Sequence, residues 1–195
     1  MNEIVFDIET QNTFADVGND FKKFRISVVS LYNYADDKYY SFTEDEFINM
    51  WPFFEKADRI IGYNSEHFDV PILNNYYPGD MTVFGHLDLM KEVYNSIGRR
   101  VKLDDIAKAT LDNISKTAVG LQAIQWWKEG KIDEIKKYCE QDVRVTKEVY
   151  EFGKKHKQLF YKSFKGEDIP FAVNFPQLDV TTIKSNGSIN LTLPI

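Results

Sequence analysis

Hydrophobic and polar positions along the chain recur with periods that mark strands and helices in turn. The opening run "MNEIVFDIET" reads as a strand, and strand side chains two apart share a face. Asp7 and Glu9 therefore point one way and Phe6 and Ile8 the other. "RISVVSLYNY" and "KYYSF" follow as two strands joined by a tight turn at "ADD". "TEDEFINMWPFFEKA" has helical spacing and an acidic first turn. "DRIIGYN" is a short buried strand expected to end at Asn64. In "SEHFDVPILNNYY", Pro71 is tolerated only in the first turn of a helix, so a helix is expected to begin near Phe68 with Asp69 at its start. "MTVFGHLDLM" resembles another short strand, and "KLDDIAKATL", "VGLQAIQWW" and "KIDEIKKYCEQDVRVTKEVYEFGKK" are helical by period and composition.

From Leu159 the pattern turns to short β-type runs, "LFYKSF", "PFAVNF", "LDVTTIK" and "INLTLP", with Gly and Pro between them. No repeat or low-complexity linker interrupts the chain. The expected organisation is an α/β body over residues 1–156 and a β-rich extension over 157–195 packed on the same domain. With 195 residues, 43% of them hydrophobic and 15% aromatic, the chain has the material for one domain with a real core.

Charge and cysteine usage narrow the function classes. A net charge of -6 argues against a broad basic surface for gripping duplex nucleic acid. It leaves room for nucleic acid handled at its end in a metal-filled cleft, where cations and short basic clusters meet the phosphates. The clusters on offer are Lys22, Lys23 and Arg25; Arg99, Arg100 and Lys102; and Lys154, Lys155 and Lys157, each of which reads first as a solvated face. Cys139 is the only cysteine, so no internal disulfide is expected and a reducing compartment is. No apolar run approaches the roughly 20 residues of a membrane span. "MNEIVFDIET" lacks the basic start and cleavage site of a signal peptide, so a cytoplasmic location without a membrane partner is expected.

Asp7 and Glu9, side by side on a buried strand, repel each other and lose hydration worth several kcal/mol unless a cation compensates. Two further motifs carry similar chemistry: "GYNSEHFDVPIL", with Asn64, Phe68 and Asp69, and "YCEQDVRVT", with Tyr138 and Asp142. On a helix the last two lie one turn apart on one face. Together the motifs supply four carboxylates and a phenol, hard oxygen ligands that suit Mg²⁺ or Mn²⁺ and suit zinc poorly.

The order Asp-x-Glu, Asn-x(3)-Phe-Asp and Tyr-x(3)-Asp resembles the DEDD superfamily of 3′-5′ exonucleases, in the branch marked by tyrosine, the DEDDy type of DnaQ-like enzymes. "GYNSEHFDVPIL" is similar to the second motif of family B DNA polymerase proofreading domains, and "LDDIAKATL" through "YCEQDVRVTKEVY" to stand-alone ribonuclease H-like exonuclease domains of prokaryotes and viruses. The resemblance covers about residues 3 to 155 and leaves the tail unmatched. It implies a ribonuclease H-like α/β fold, a five-stranded mixed sheet with its second strand antiparallel, flanked by helices. It also implies two-metal hydrolysis with Mg²⁺ or Mn²⁺ of single-stranded DNA or RNA 3′ ends, releasing nucleoside 5′-monophosphates. By position Asp7 would bridge both metals, Glu9 and Asp142 would help bind the metal that activates water, and Asp69 would act through the outer shell near the other. Tyr138 would orient the attacking water, and Thr10, Asn64, Phe68 and Lys116 would contact substrate. A polymerase does not fit in 195 residues, so any connection of that kind would be to a separate polymerase or helicase chain.

Taken singly, these signals have plain readings. Asp-x-Glu at a strand end is common, Asn64 and Asp69 suit strand-end and helix-cap chemistry, and Tyr138 with Asp142 suits a surface pair. Order, spacing and setting together carry the functional reading. Cys139 is turned about 100° round the helix from Tyr138 and reads as a small core residue. His67, His86 and His156 lack metal-ligand spacing, and Tyr138 stands where a sister branch has histidine. Asp88 suits a structural role or one behind the ligands, and Trp126 and Trp127 suit packing. The rival functions are a nucleic-acid-binding module without turnover and a ribonuclease H-type endonuclease.

Overall fold

The computed structural model describes residues 2–111 and 120–176. The strand expectations for "LDVTTIK" and "INLTLP" lie outside the described residues. Five strands form the central sheet in the order β3-β2-β1-β4-β5: β1 (Glu3–Thr10), β2 (Ile26–Asn33), β3 (Lys38–Phe42), β4 (Arg59–Gly62) and β5 (His86–Asp88). β2 runs antiparallel to its neighbours β1 and β3, whereas β4 and β5 continue parallel to β1. This is the expected ribonuclease H-like α/β arrangement, a five-stranded mixed sheet flanked by helices.

Period-two alternation on β1 divides the core. Ile4, Phe6 and Ile8 pack on one face with Phe54 and Met50 of α2 (Phe47–Glu55) and with Ile72 and Leu73 of α3 (Asp69–Leu73). Val5 faces the other way, into a second cluster with Val143, Val149 and Tyr150 of α7 (Ile132–His156). Asp7 and Glu9 continue that second face, so the sheet's polar residues confront the helix that carries Tyr138 and Asp142. The β1–β2 ladder shifts register between Glu9 and Thr10, with Glu9 opposite Val28 and Thr10 opposite Ile26. Such a break re-aims side chains at a strand end.

Two boundaries differ from the sequence reading. β4 stops at Gly62 instead of Asn64, because the chain turns sharply there: a Cβ on Gly62 would lie 2.3 Å from Ser65 Oγ, and Asn64 adopts φ 63°. Asparagine tolerates that left-handed conformation better than most residues. "MTVFGHLDLM" is not one strand. Met81–Val83 forms a 3₁₀ turn, β5 is confined to His86–Asp88, and Asp88 caps α4 (Leu89–Ile97) by accepting the backbone N–H of Met90 at 2.9 Å. α3 begins at Asp69 with Pro71 in its first turn, as the proline requires.

α1 (Phe14–Val17), α5 (Leu103–Thr110) and α6 (Gly120–Lys128) complete the helices among the described residues, none of which is long and apolar enough to cross a membrane. After α7 the strands β6 (Gln158–Lys162) and β7 (Asp168–Ala172) pair as an antiparallel hairpin. Leu159, Phe171, Val173 and Phe175 enter the second core cluster. Phe175 crosses α7 at Gly153, where a Cβ would lie 2.5 Å from its ring. At the end of the sheet away from Asp7, Arg59 donates to Glu3, to the Tyr150 hydroxyl at 2.8 Å and to the carbonyl of Pro176. This buried ion pair ties the chain's last described segment to the first strand.

Candidate active site

β1 delivers two carboxylates of an acidic cluster and α7 the third. Strand alternation brings Asp7 and Glu9 to the helix-facing side of the sheet, and helical spacing brings Asp142 to meet them. One carboxylate oxygen from each of Asp7, Glu9 and Asp142 lies within 4.8 Å of the other two. Asp69 reaches the same place from the first turn of α3, where Oδ1 accepts the Ile8 backbone N–H at 3.2 Å. Its charge ranks next after burial in pushing the Asp7 carboxyl well above the usual carboxylate range, followed by Asp142 and Glu9. Burial likewise raises Asp69, to about 7, against hydrogen bonds from its own and the Ile8 backbone N–H that pull it down.

Tyr138 lies one turn before Asp142, is buried, and packs its ring edge-on to Trp126 with centroids 6.1 Å apart. Its hydroxyl hydrogen-bonds to Asp142. Burial, then Asp142, Glu9 and Asp7, push its ionisation upward, so the group is a neutral phenol at physiological pH. All five residues that the sequence motifs single out for catalysis are thus gathered around one end of β1.

The expected substrate-contacting residues are placed as follows. Phe68 sits in an aromatic nest, 5.7 Å from Phe14 and 5.4 Å from Phe24 between ring centroids, directly before Asp69. Asn64 opens the turn that leads to it. The Thr10 hydroxyl is engaged locally, donating to the Asn12 carbonyl at 2.9 Å. Lys116 lies outside the described residues. His67, His86 and His156 are not in the carboxylate group.

Two supports were not legible in the motifs. Cys139 is a core residue, as its position on the helix suggests, yet its thiol donates to the Asp7 carbonyl at 3.4 Å and to Asp7 Oδ2 at 3.7 Å. Burial first, and Asp7 and Glu9 next, push the thiol upward, so it remains a donor and not a thiolate ligand. Asp88 accepts the backbone N–H groups of Asn64 at 2.8 Å and Glu66 at 3.1 Å while capping α4. One carboxylate therefore fixes both the β4 turn and the following helix. The cap signal was present in "HLDLM", but the link to Asn64 spans two strands and has no local trace.

A family model of the RNase H superfamily matches residues 4–152, and the chain belongs to that superfamily, whose members are typically nucleases. Among solved structures, the family B DNA polymerase of the hyperthermophilic archaeon Pyrobaculum calidifontis shares the fold with a TM-score of 0.59 at 17% identity. The match covers 78% of this chain and 24% of the polymerase, so the chain spans about a quarter of that protein. No curated protein matches.

Proposed function

We propose that the chain is a DEDDy-type 3′-5′ exonuclease that shortens single-stranded DNA or RNA to nucleoside 5′-monophosphates with the help of two divalent cations. The observation that carries this reading is the convergence of Asp7, Glu9 and Asp142 within 4.8 Å beside the Tyr138 hydroxyl. The order of the three motifs, with "GYNSEHFDVPIL" similar to proofreading domains, supports the direction and the branch.

The donor set fits Mg²⁺ or Mn²⁺. Burial and then the neighbouring carboxylates raise Asp7, burial raises Asp69, and the one sulfur nearby stays protonated. Asp7, Glu9 and Asp142 would hold the ions, with Asp69 braced against β1 behind them. Ions held by these carboxylates would lower the pKa of water and offset charge on phosphoryl oxygens during in-line displacement.

The chain's own groups do the positioning. Tyr138, a neutral phenol bonded to Asp142, orients the water that attacks phosphorus. The bond from phosphorus to the 3′ oxygen breaks, so the terminal nucleotide leaves with its 5′-phosphate and the strand keeps a new 3′ hydroxyl. Phe68 and Asn64 hold the terminal nucleotide, Thr10 lies at the strand end beside it, and Lys116 meets a phosphate. A separate polymerase or helicase chain is the proposed partner. The body over 1–156 carries the activity and the extension completes its second core.

The test is digestion of 5′-labelled linear single strands and of circular single strands, in matched DNA and RNA, with Mg²⁺ or Mn²⁺. A ladder shortened from the 3′ end with an intact circle supports the exonuclease. A cut circle assigns the endonuclease instead, and retention without cleavage assigns the binding module.

A further inference from the structure

A groove of about 330 Å³ lies beside the acidic site, lined among others by Asn64, Glu66, His67, Lys91, Tyr94 and Arg100. It neighbours the site through Asn64, which lines the groove and begins the turn that leads to Asp69. The acids in its wall are already engaged: Asp88 accepts backbone N–H groups of Asn64, Glu66 and Met90, and Glu66 pairs with Lys91 at 2.6 Å. Lys91 offsets the charge of Glu66, and Arg100 brings a permanent positive charge, exposed to solvent, to the same wall as the buried Asp88 carboxylate. Tyr94 is 52% exposed and presents an aromatic ring. Arg99, the neighbour of Arg100 in the basic cluster, is committed elsewhere, with its guanidinium 4.4 Å over the Tyr161 ring of β6. Arg100, from the basic cluster at Arg99 to Lys102, thus opens onto this groove, whereas Lys157 of a second cluster lines a separate cavity beside β7.

We infer that this groove seats a nucleotide upstream of the one being cleaved, its base stacked on Tyr94 and its phosphate against Arg100. The inference rests on the nuclease reading of the acidic site and adds how the strand is held. Aromatic faces and guanidinium groups are what single-strand binding uses, because every base offers a π-face and every linkage a charge. The volume falls at the small end of the roughly 300–1,000 Å³ common for small-molecule sites. The groove's size suits one unpaired nucleotide. In a chain of net charge -6 with acids at its centre, a groove whose two acids are matched by Lys91 and Arg100 presents the polyanion with an exposed guanidinium and no excess of negative charge.

The experiment compares wild type with Tyr94→Ala and Arg100→Ala, both at solvent-exposed positions, after confirming equal melting temperatures. Steady-state kinetics are measured on short DNA and RNA single strands, and on bis(p-nitrophenyl) phosphate, which is too small to reach the groove. Fluorescence anisotropy with labelled oligonucleotide in Ca²⁺ measures affinity without turnover. Tyr94→Ala should raise KM and Kd by roughly 5- to 100-fold, as for loss of one base–aromatic stack, with kcat within about threefold. Arg100→Ala should weaken binding of DNA and RNA alike and lower the slope of log affinity against log salt by roughly 0.7. Wild-type Kd values in both variants overturn the inference, as does a loss of kcat on the small ester equal to that on strands. If the wild type cleaves neither substrate, the nuclease reading fails by itself, and the anisotropy arm still decides the groove.

Discussion

The backbone N–H of Ile8 donates to Asp69 Oδ1 at 3.2 Å, so the carboxylate at the start of α3 is fastened to the strand that carries Asp7 and Glu9. The bond holds Asp69 against Asp7 in spite of their like charge, and both carboxyls are pushed up. A carboxyl with a raised folded pKa binds its proton more tightly folded than unfolded. Its contribution to stability is full below the unfolded value near 4 and is lost as pH rises through the folded one, about 7 for Asp69. In EDTA the unfolding free energy should therefore fall between pH 5 and pH 7, by up to about 1.4 kcal/mol per pH unit for one proton, and the melting temperature should fall with it. Asp69→Asn keeps an oxygen for the Ile8 N–H and should flatten that slope. A metal-free melting temperature that is level or rises over this window would refute the account.

Metal removal tests the same repulsion from the other side. Chelation should abolish hydrolysis, and Mg²⁺ or Mn²⁺ should restore it and raise the melting temperature most at high pH, where the carboxylates are charged. Calcium should bind and stabilise while supporting little turnover, since its looser geometry suits in-line alignment badly. Asp7→Ala should remove activity yet leave the metal-free protein as stable as wild type or more so. Calorimetry of the apo variant showing a large loss would make Asp7 a structural residue instead.

Asp88 should behave in the opposite way. Its carboxylate accepts backbone N–H groups from both the β4 turn and the first turn of α4. Asp88→Ala strands these donors and should cost roughly 2–4 kcal/mol in urea unfolding, a lost helix cap plus unsatisfied buried groups. Asp88→Asn retains one acceptor oxygen and should recover part of the loss. Equal stability of Asp88→Ala and wild type would show that the turn holds itself.

How much of the fold and site was legible in the sequence follows from the range of each interaction. Alternation on β1 and four-residue spacing on α7 are local, so the facing of Asp7, Glu9, Tyr138 and Asp142 is written in the chain itself, and Pro71 sets the start of α3. The end of β4 is not written there, because it depends on Ser65 folding back under Gly62. Nor is the Asp88 link to Asn64, or the pairing of Glu3 with Arg59 and Tyr150, which joins three distant segments. The hydrophobic run "MTVFGHLDLM" misled because an apolar 3₁₀ turn and a short buried strand share one composition.

Tyr138 separates the tyrosine-marked reading from a merely acidic site. Its ring packs against Trp126 and its hydroxyl meets Asp142, so Tyr138→Phe removes one hydrogen-bonding group and keeps the packing. If that hydroxyl orients the attacking water, turnover should fall roughly 10- to 1000-fold, with metal affinity and melting temperature close to wild type. Asp142→Asn, on the same helical face, takes away one of the three clustered carboxylates and should weaken metal binding as well as turnover. Single-turnover kinetics on a short single strand at saturating Mn²⁺ separate chemistry from product release. Wild-type rates in Tyr138→Phe beside a dead Asp142→Asn would leave the carboxylate site standing and reduce the tyrosine to packing.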